Sequence, residues 1–473
     1  MKKVFYRLDN KSVCADVIPF YDQGEFKLFY LNDYRNIEKH GEGCPWYLLT
    51  TKDLVHYENH GPVLLRGAET EQDLYVFTGC CIKHNDEYHI YYTGHNPHLR
   101  KKGLPEQKIL RAKSKDLINW TKDKDFVFQA PDYLEPHDFR DPFIYYSETD
   151  NKYKMLLAGR LKNDNPTFTK GITLVATSTD LDHWELEKEP FYAPNAYFAH
   201  ECPDLFKMGD WWYLLFSEFT DKIVTTYRMS KSPNGPWITP KVNNFDGHAF
   251  YAAKSTTDGK RRILFGWNCI KDKENDYNNW QWGGSIIPHE IVQAKDGTLY
   301  VKCPDEIKAY FNEEQVVKAK NTIGKVSIEK EDIIPESEGM NIKMFEEVTP
   351  SYKLELDFVL EDDRGDFGLI LNANNNLDNY YKVKMEPKFN RLAFDIIPRK
   401  CNEMHTLVDT ERYLPLELGK KHHLMVIVQE SVLEVYVDDL VAMSTRMFNY
   451  QSGDFGVYAQ NIGVKFSNLK IYK

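Results

Sequence analysis

A period of about sixty residues constrains this chain more than any other feature. Asp53, Asp116 and Asp180 stand 63 and 64 residues apart, each inside a similar phrase: Thr51-Lys52-Asp53-Leu54-Val55-His56-Tyr57, Ser114-Lys115-Asp116-Leu117-Ile118-Asn119-Trp120 and Ser178-Thr179-Asp180-Leu181-Asp182-His183-Trp184. A looser fourth version runs from Ser230 to Trp237. In step with it goes a second unit, an apolar strand, a tight turn and an aromatic-rich strand, whose five copies surround Asp22-Gln23-Gly24, Asn85-Asp86, Asp150-Asn151, Gly209-Asp210 and Asp258-Gly259. Repeats of this length built from short strands and turns fit four-stranded blades around an axis, so five copies predict a five-bladed β-propeller.

The fifth blade is expected to end with Ser285 to Val292, the Asp296-Gly297 turn and Leu299 to Val301. Residues 305–324 lose the alternation and read as a linker, partly helical. Residues 325–473 return to alternating strands, among them Tyr352 to Phe358, Phe367 to Leu371 and Leu433 to Val437, which suit an antiparallel β-sandwich. The expected class is all-β, with a propeller over 1–304 and a sandwich over 325–473. Chemistry is expected in the propeller, where inner blade ends converge on one axial site.

The 473 residues carry a net charge of −11, so no basic surface suits nucleic acid or anionic lipid, and a neutral or polar small molecule is the expected partner. Aromatic residues make up 14%, which fits strand propensity and equally a site whose rings pack on sugar faces. The N-terminus shows no apolar run behind Lys2-Lys3, and no stretch of 18 apolar residues occurs. The eight cysteines have neither metal-ligand nor disulfide-framework spacing. They read as reduced, cytoplasmic thiols. The sandwich offers a surface on which a second copy could pair.

Within the repeat, three acids fall at or just before innermost strands: Asp16 in blade one, Asp141 in blade three and Glu201 in blade four. Shared position within the repeat, not sequence separation, is what brings them together. Asp141 and Asp204 could instead cap turns or answer Arg140. Glu201 lies among apolar and aromatic neighbours and is expected to hold a proton near neutral pH, as a general acid must. Carboxylates converging in an aromatic-lined funnel fit glycosidic bond cleavage.

The phrases Arg140-Asp141-Pro142 and Glu201-Cys202-Pro203-Asp204 resemble the two short signatures of glycoside hydrolase family 32, the invertases, levanases and fructan β-fructosidases. Trp46 with the Thr51 to Tyr57 phrase, Phe77-Thr78-Gly79, Asp246-Gly247 with Phe250-Tyr251-Ala252, Ser285 to Leu299, and Leu433 to Asp438 in the sandwich are similar to further stretches of that family. The resemblance implies Asp16 as nucleophile, Glu201 as acid/base, Asp141 as the group that holds fructosyl hydroxyls, and Arg140 as its orienting partner. It implies that Trp46, Phe77, Thr78, Cys202 and Asp246 shape or contact the fructosyl subsite. It implies a retaining mechanism with no metal or organic cofactor.

The first signature departs from the family's Trp-Met-Asn-Asp-Pro-Asn-Gly. Here it reads Val13-Cys14-Ala15-Asp16-Val17-Ile18-Pro19, and only the aspartate remains. Leu31 stands where a glutamine is usual, and His289 where the closing strand usually has arginine. The leading expectation is an exo-acting hydrolase of terminal β-fructofuranosyl units on sucrose or short fructooligosaccharides. Two alternatives stay open: an inverting pentosidase similar to family 43, and a non-catalytic carbohydrate-binding propeller. His200 is expected to be packed, and His89, His95 and His98 to lie on loop and strand surface. Trp267 is expected in the core, with Trp280-Gln281-Trp282 a candidate rim.

Overall fold

The computed structural model describes residues 3–162, 170–220, 222–399 and 408–473. It divides into two compact units, Met1–Asn244 with Phe250–Trp267 and Gly283–Leu299, and Phe245–Ala249 with Asn268–Trp282 and Tyr300–Lys473. The first is the five-bladed β-propeller and the second is built on the β-sandwich.

Blade one runs Val13–Asp22, Glu25–Asp33, Trp46–Thr51, Tyr57–Leu64 from the axis outward. Blade two runs Tyr75–His84, Glu87–His95, Gln107–Ser114, Thr121–Phe128, and blade three Leu134–Ser147, Lys152–Leu161, Gly171–Ser178, Glu185–Leu186. The repeat phrase turns out to be the corner between each third and fourth strand. Asp53, Asp116 and Asp180 each accept two backbone N–H groups of the following turn. The hydroxyl of Thr51, Ser114 or Ser178 accepts the N–H of Leu54, Leu117 or Leu181. Each of those leucines is left-handed, with φ of 59°, 66° and 68°. The period is therefore a chain of identical side-chain caps on a strained corner.

Among the described residues blade four has three strands, Glu201–Met208, Trp211–Glu218 and Val224–Ser230. Where a fourth was expected, the looser phrase gives isolated bridges at Met229–Ile238 and Thr226–Asn244. Pro233, Pro236 and Pro240 lack the N–H groups that a ladder requires. Blade five contains Phe250–Thr257, Arg262–Lys271, Trp280–Gln293 and Leu299–Lys302. The ring closes through the chain's own start, since Tyr6 exchanges both backbone hydrogen bonds with Ile286, and Cys14 pairs with Gly284.

Blades stack face to face through interleaved apolar side chains. Ile18, Phe29 and Leu48 of blade one meet Val76, Ile90 and Tyr92 of blade two. Tyr91 and Ile109 meet Met155 and Leu174 of blade three, and Leu156 and Val175 meet Leu214 and Phe216 of blade four. Each such side chain contributes roughly 1.5–3 kcal/mol on burial, so the ring of inner strands has little freedom to shift.

In the second unit, two antiparallel sheets enclose a core that includes Leu354, Phe358, Leu369, Val383, Val426, Val435 and Phe466. The expected linker is shorter than 305–324. A helix spans Asp305–Tyr310, but Glu314–Gln315 and Ala319–Ile323 already belong to the two sheets, pairing with Val464–Tyr472 and Met340–Phe345. Their exposed, polar composition hid them from a period-two reading, because edge strands here bury little on either face.

Candidate active site

The innermost strands of blades one to four each break their ladder beside the acids. The register slips between Ala15 and Ile18 in blade one, Phe77 and Gly79 in blade two, and Glu201 and Asp204 in blade four. In blade three it slips opposite Leu156 and Ala158, beside Asp141-Pro142. A bulge turns consecutive side chains off the alternating faces of the sheet. Asp16, Asp141, Cys202 and Ala252 each take left-handed backbone there, with φ of 42°, 59°, 52° and 50°. None is glycine, so the conformation is strained and is held by what surrounds it. Proline follows two of them, at Pro142 and Pro203, where the missing N–H costs nothing at a bulge.

The bulges bring the acids of blades one, three and four into one hydrogen-bonded cluster. Thr78 donates its hydroxyl to Asp16 Oδ2 at 2.7 Å, and Trp267 donates Nε1 to Asp16 Oδ1 at 3.1 Å. Asp141 is fixed at both ends: its N–H donates to Thr93 Oγ1 at 2.8 Å, and its Oδ2 accepts the N–H of Cys202 at 2.9 Å. Glu201 accepts Arg140 Nη2 on Oε1 at 2.9 Å and the Tyr251 hydroxyl on Oε2 at 2.5 Å. Arg140 also pairs with Asp138 at 2.7 Å, and Asp138 with Arg160 at 2.9 Å.

The surroundings of Glu201 differ from the sequence expectation. Glu201 does not sit in an apolar niche, being held by a guanidinium and a phenol. The carboxyl pushed up is Asp16, to about 7, by its enclosure first and then by the like charges of Asp141 and Glu201, against the pull of Thr78 and Trp267. Burial and Glu201 also raise Asp141, while Arg140 and the Cys202 N–H draw it down.

The other expected residues divide into those at the acids and those behind them. Phe77 is half-buried and stacks on His95 with centroids 4.4 Å apart. Thr78 and Cys202 touch the acids directly, through hydroxyl and backbone N–H. Trp46 is fully buried and cannot touch a sugar; its Nε1 donates to the carbonyls of Val76 and Phe77, so it pins the strand that carries Thr78. Asp246 is a correction. Its carboxylate accepts both the N–H and the hydroxyl of Ser444 at 2.8 Å, and its carbonyl accepts Arg412. It belongs to the second unit and is buried, because those donors satisfy it there.

Trp267, expected as packing alone, is a hydrogen-bond donor to Asp16. Thr93 and Tyr251 were not singled out as site residues, although the Phe250-Tyr251-Ala252 phrase marked the strand. His200 is packed as expected: it stacks on Phe216 at 4.5 Å, bonds Thr173, and is lowered to about 3 by burial and by Arg228. Of the histidines expected on the surface, His89 is buried and His95 half-buried against Phe77. Trp280 packs on Lys271 and His248 within the second unit. Leu31 and His289 are both buried.

Carboxyls gathered this way suit glycosidic bond cleavage, in which one acid protonates the leaving oxygen while another attacks, and so point to a glycosidase on a five-bladed propeller. The comparisons agree. The model for the glycosyl hydrolases family 32 N-terminal domain matches residues 18–304, and that for the family 32 C-terminal domain residues 313–473. The chain belongs to glycosyl hydrolase family 32. It is 24% identical to the sucrose-6-phosphate hydrolase of Escherichia coli over 446 residues, 89% of this chain and 84% of that one. Identity to the Vibrio alginolyticus sucrose-6-phosphate hydrolase is 26% over 305 residues, 60% of this chain and 59% of that enzyme. Among solved structures, the fructan 1-exohydrolase IIa of Cichorium intybus superposes with a TM-score of 0.72 at 15% identity, covering 100% of this chain and 98% of that one.

Thr78 supplies the bond most easily tested. Thr78→Val keeps the shape and removes the donor to Asp16 Oδ2, so the carboxylate loses stabilisation. A fall of about tenfold to a hundredfold in kcat/KM is expected, with the acidic limb of the pH profile moving upward. An unmoved limb would show that Thr78 serves packing only.

Proposed function

We propose that this protein hydrolyses terminal β-fructofuranosyl units of sucrose or short fructooligosaccharides by a retaining double displacement. The observation that carries this reading is the convergence of Asp16, Asp141 and Glu201 from three blades at bulges in the innermost strands. Asp16 attacks the anomeric carbon while Glu201 gives its proton to the leaving oxygen. Glu201 then takes a proton from water, which displaces Asp16 and restores the β configuration. Thr78 and Trp267 stabilise Asp16 when it is expelled as an anion. Arg140 and Tyr251 hold Glu201 in place through both transfers, and Asp141, fixed by Thr93 and Cys202, accepts hydroxyls of the bound sugar.

The altered first signature bears on the same site. Cys14 and Ala15 are fully buried, so neither reaches a substrate, and the indole of Trp267 supplies a donor beside the nucleophile. Both matched domain models are of family 32 rather than of a pentosidase family. We place the protein in the cytoplasm, a reading supported by the seven cysteines among the described residues, which are all buried free thiols. No helix among the described residues is long and apolar enough to cross a membrane.

Incubation with sucrose, kestose, inulin, levan and aryl arabinofuranosides tests the reading. Free fructose is expected from the first two, first released as the β anomer when followed by proton NMR. Release of pentose alone, or of the α anomer first, would overturn the substrate or the mechanism respectively. No product from any of them would leave a binding propeller.

A further inference from the structure

Lys254 lies on the innermost strand of blade five, two residues beyond the left-handed Ala252, and is 3% exposed. Its Nζ donates to the carbonyl of Gly79 in blade two at 2.7 Å and stands 5.5 Å from the ring of Phe143 in blade three. Blade one separates blades five and two in the ring, so this side chain crosses the axis. Gly79 follows Thr78, which holds Asp16, and Phe143 follows Asp141-Pro142. The ammonium therefore sits against the segment that carries Asp141 and against the one whose Thr78 holds Asp16.

An ammonium has three N–H groups, and Gly79 O is the protein acceptor it meets among the described residues. Hydrogen bonding alone does not account for a buried charge. The surrounding charges do. In the cluster of Asp16, Asp141 and Glu201, Arg140 faces Glu201 and Asp141 and Lys254 acts on Asp141, while Asp138 is also answered by Arg160. The thiols within reach of the ammonium, Cys80 and Cys202, are kept neutral by burial. Three carboxyls and two cations are neutral together when one carboxyl holds a proton. A double displacement starts from that state, with one acid and two anions.

We propose that Lys254 is a positioning residue of this reaction: its ammonium, carried across the propeller axis from blade five, offsets the like charges of the site so that Asp16 and Asp141 can be anions together. The rate readout of this inference rests on the fructosidase reading, whereas its titration readout does not.

Lys254→Gln keeps an N–H for Gly79 O and removes the charge, Lys254→Met removes both, and Lys254→Arg keeps the charge. The acidic limb of kcat/KM is expected to move up by about one pH unit in the Gln and Met variants, and to stay in place in the Arg variant. At a pH below the limb this is about a tenfold loss. Infrared difference spectra over the same pH range should show a protonated-carboxyl band persisting to higher pH in the Gln variant. A folded Gln variant with unmoved limb and unmoved band overturns the proposal. A wild-type protein without fructosidase activity would remove the rate readout and leave the infrared one to decide. If neither neutral variant folds at pH 7, recovery of the fold at pH 4–5, where the carboxyls are protonated, supports the charge role, and failure there too overturns it.

Discussion

Asp16→Asn is expected to lower kcat/KM on sucrose by about 10⁴-fold or more while raising the melting temperature at neutral pH. The loss follows because an amide cannot form the fructosyl ester. The gain follows from linkage. The Asp16 carboxyl has its folded proton affinity raised from 3.8 to about 7, so the folded state binds the proton more tightly than the unfolded chain. Its contribution to stability is fully present below pH 4 and is lost as pH rises through about 7. Removing the charge should therefore matter little at pH 4 and stabilise at pH 8, by a few degrees in Tm given a gain of about 1–2 kcal/mol. The amide cannot serve both Thr78 and Trp267 as acceptor, which trims the gain. Calorimetry of the two proteins at both pH values checks this. Equal melting temperatures at pH 8 would show that the site does not strain its nucleophile, and near wild-type turnover would sink the assignment of Asp16.

Glu201→Gln is expected to reduce kcat on sucrose by about 10²–10⁴-fold, the usual worth of a positioned acid. The deficit should depend on the leaving group. A fructoside of an acidic phenol needs no proton to depart, so its first step should be nearly restored, leaving a slow second step and an initial burst of phenol. Added azide needs no general base and should release β-fructosyl azide, restoring turnover. Tyr251 and Arg140 can still bond the amide, so the fold should stand. Equal losses on both substrates, with no azide product, would move the acid/base role away from Glu201.

Much of this site was legible because repetition was legible. The Asp53, Asp116 and Asp180 corners mark where each blade turns, and counting from them puts Asp16, Asp141 and Glu201 at one depth. The prolines at Pro142 and Pro203 inside otherwise apolar strands also signal bulges. Trp267 and Thr93 were not legible as site residues. A tryptophan in an apolar strand looks like core whichever way its Nε1 points, and Trp267 lies 251 positions from the carboxylate it serves. Asp246 misled for the converse reason, since a motif match does not say which donors a carboxylate will meet, and Ser444 and Arg412 meet it first.

The sequence by itself determined that the chain would build blades around an axis, followed by a sandwich, because period and alternation are local and survive without contacts. It also determined which three acids would share a place. Tertiary structure alone decided the electrostatics at the nucleophile: burial and the like charges of its neighbours raise Asp16, and Lys254 comes to lie across the axis through a bond to Gly79, 175 residues away. Electrostatic energies depend on distance in space and on exclusion of water, and neither quantity is written along the chain.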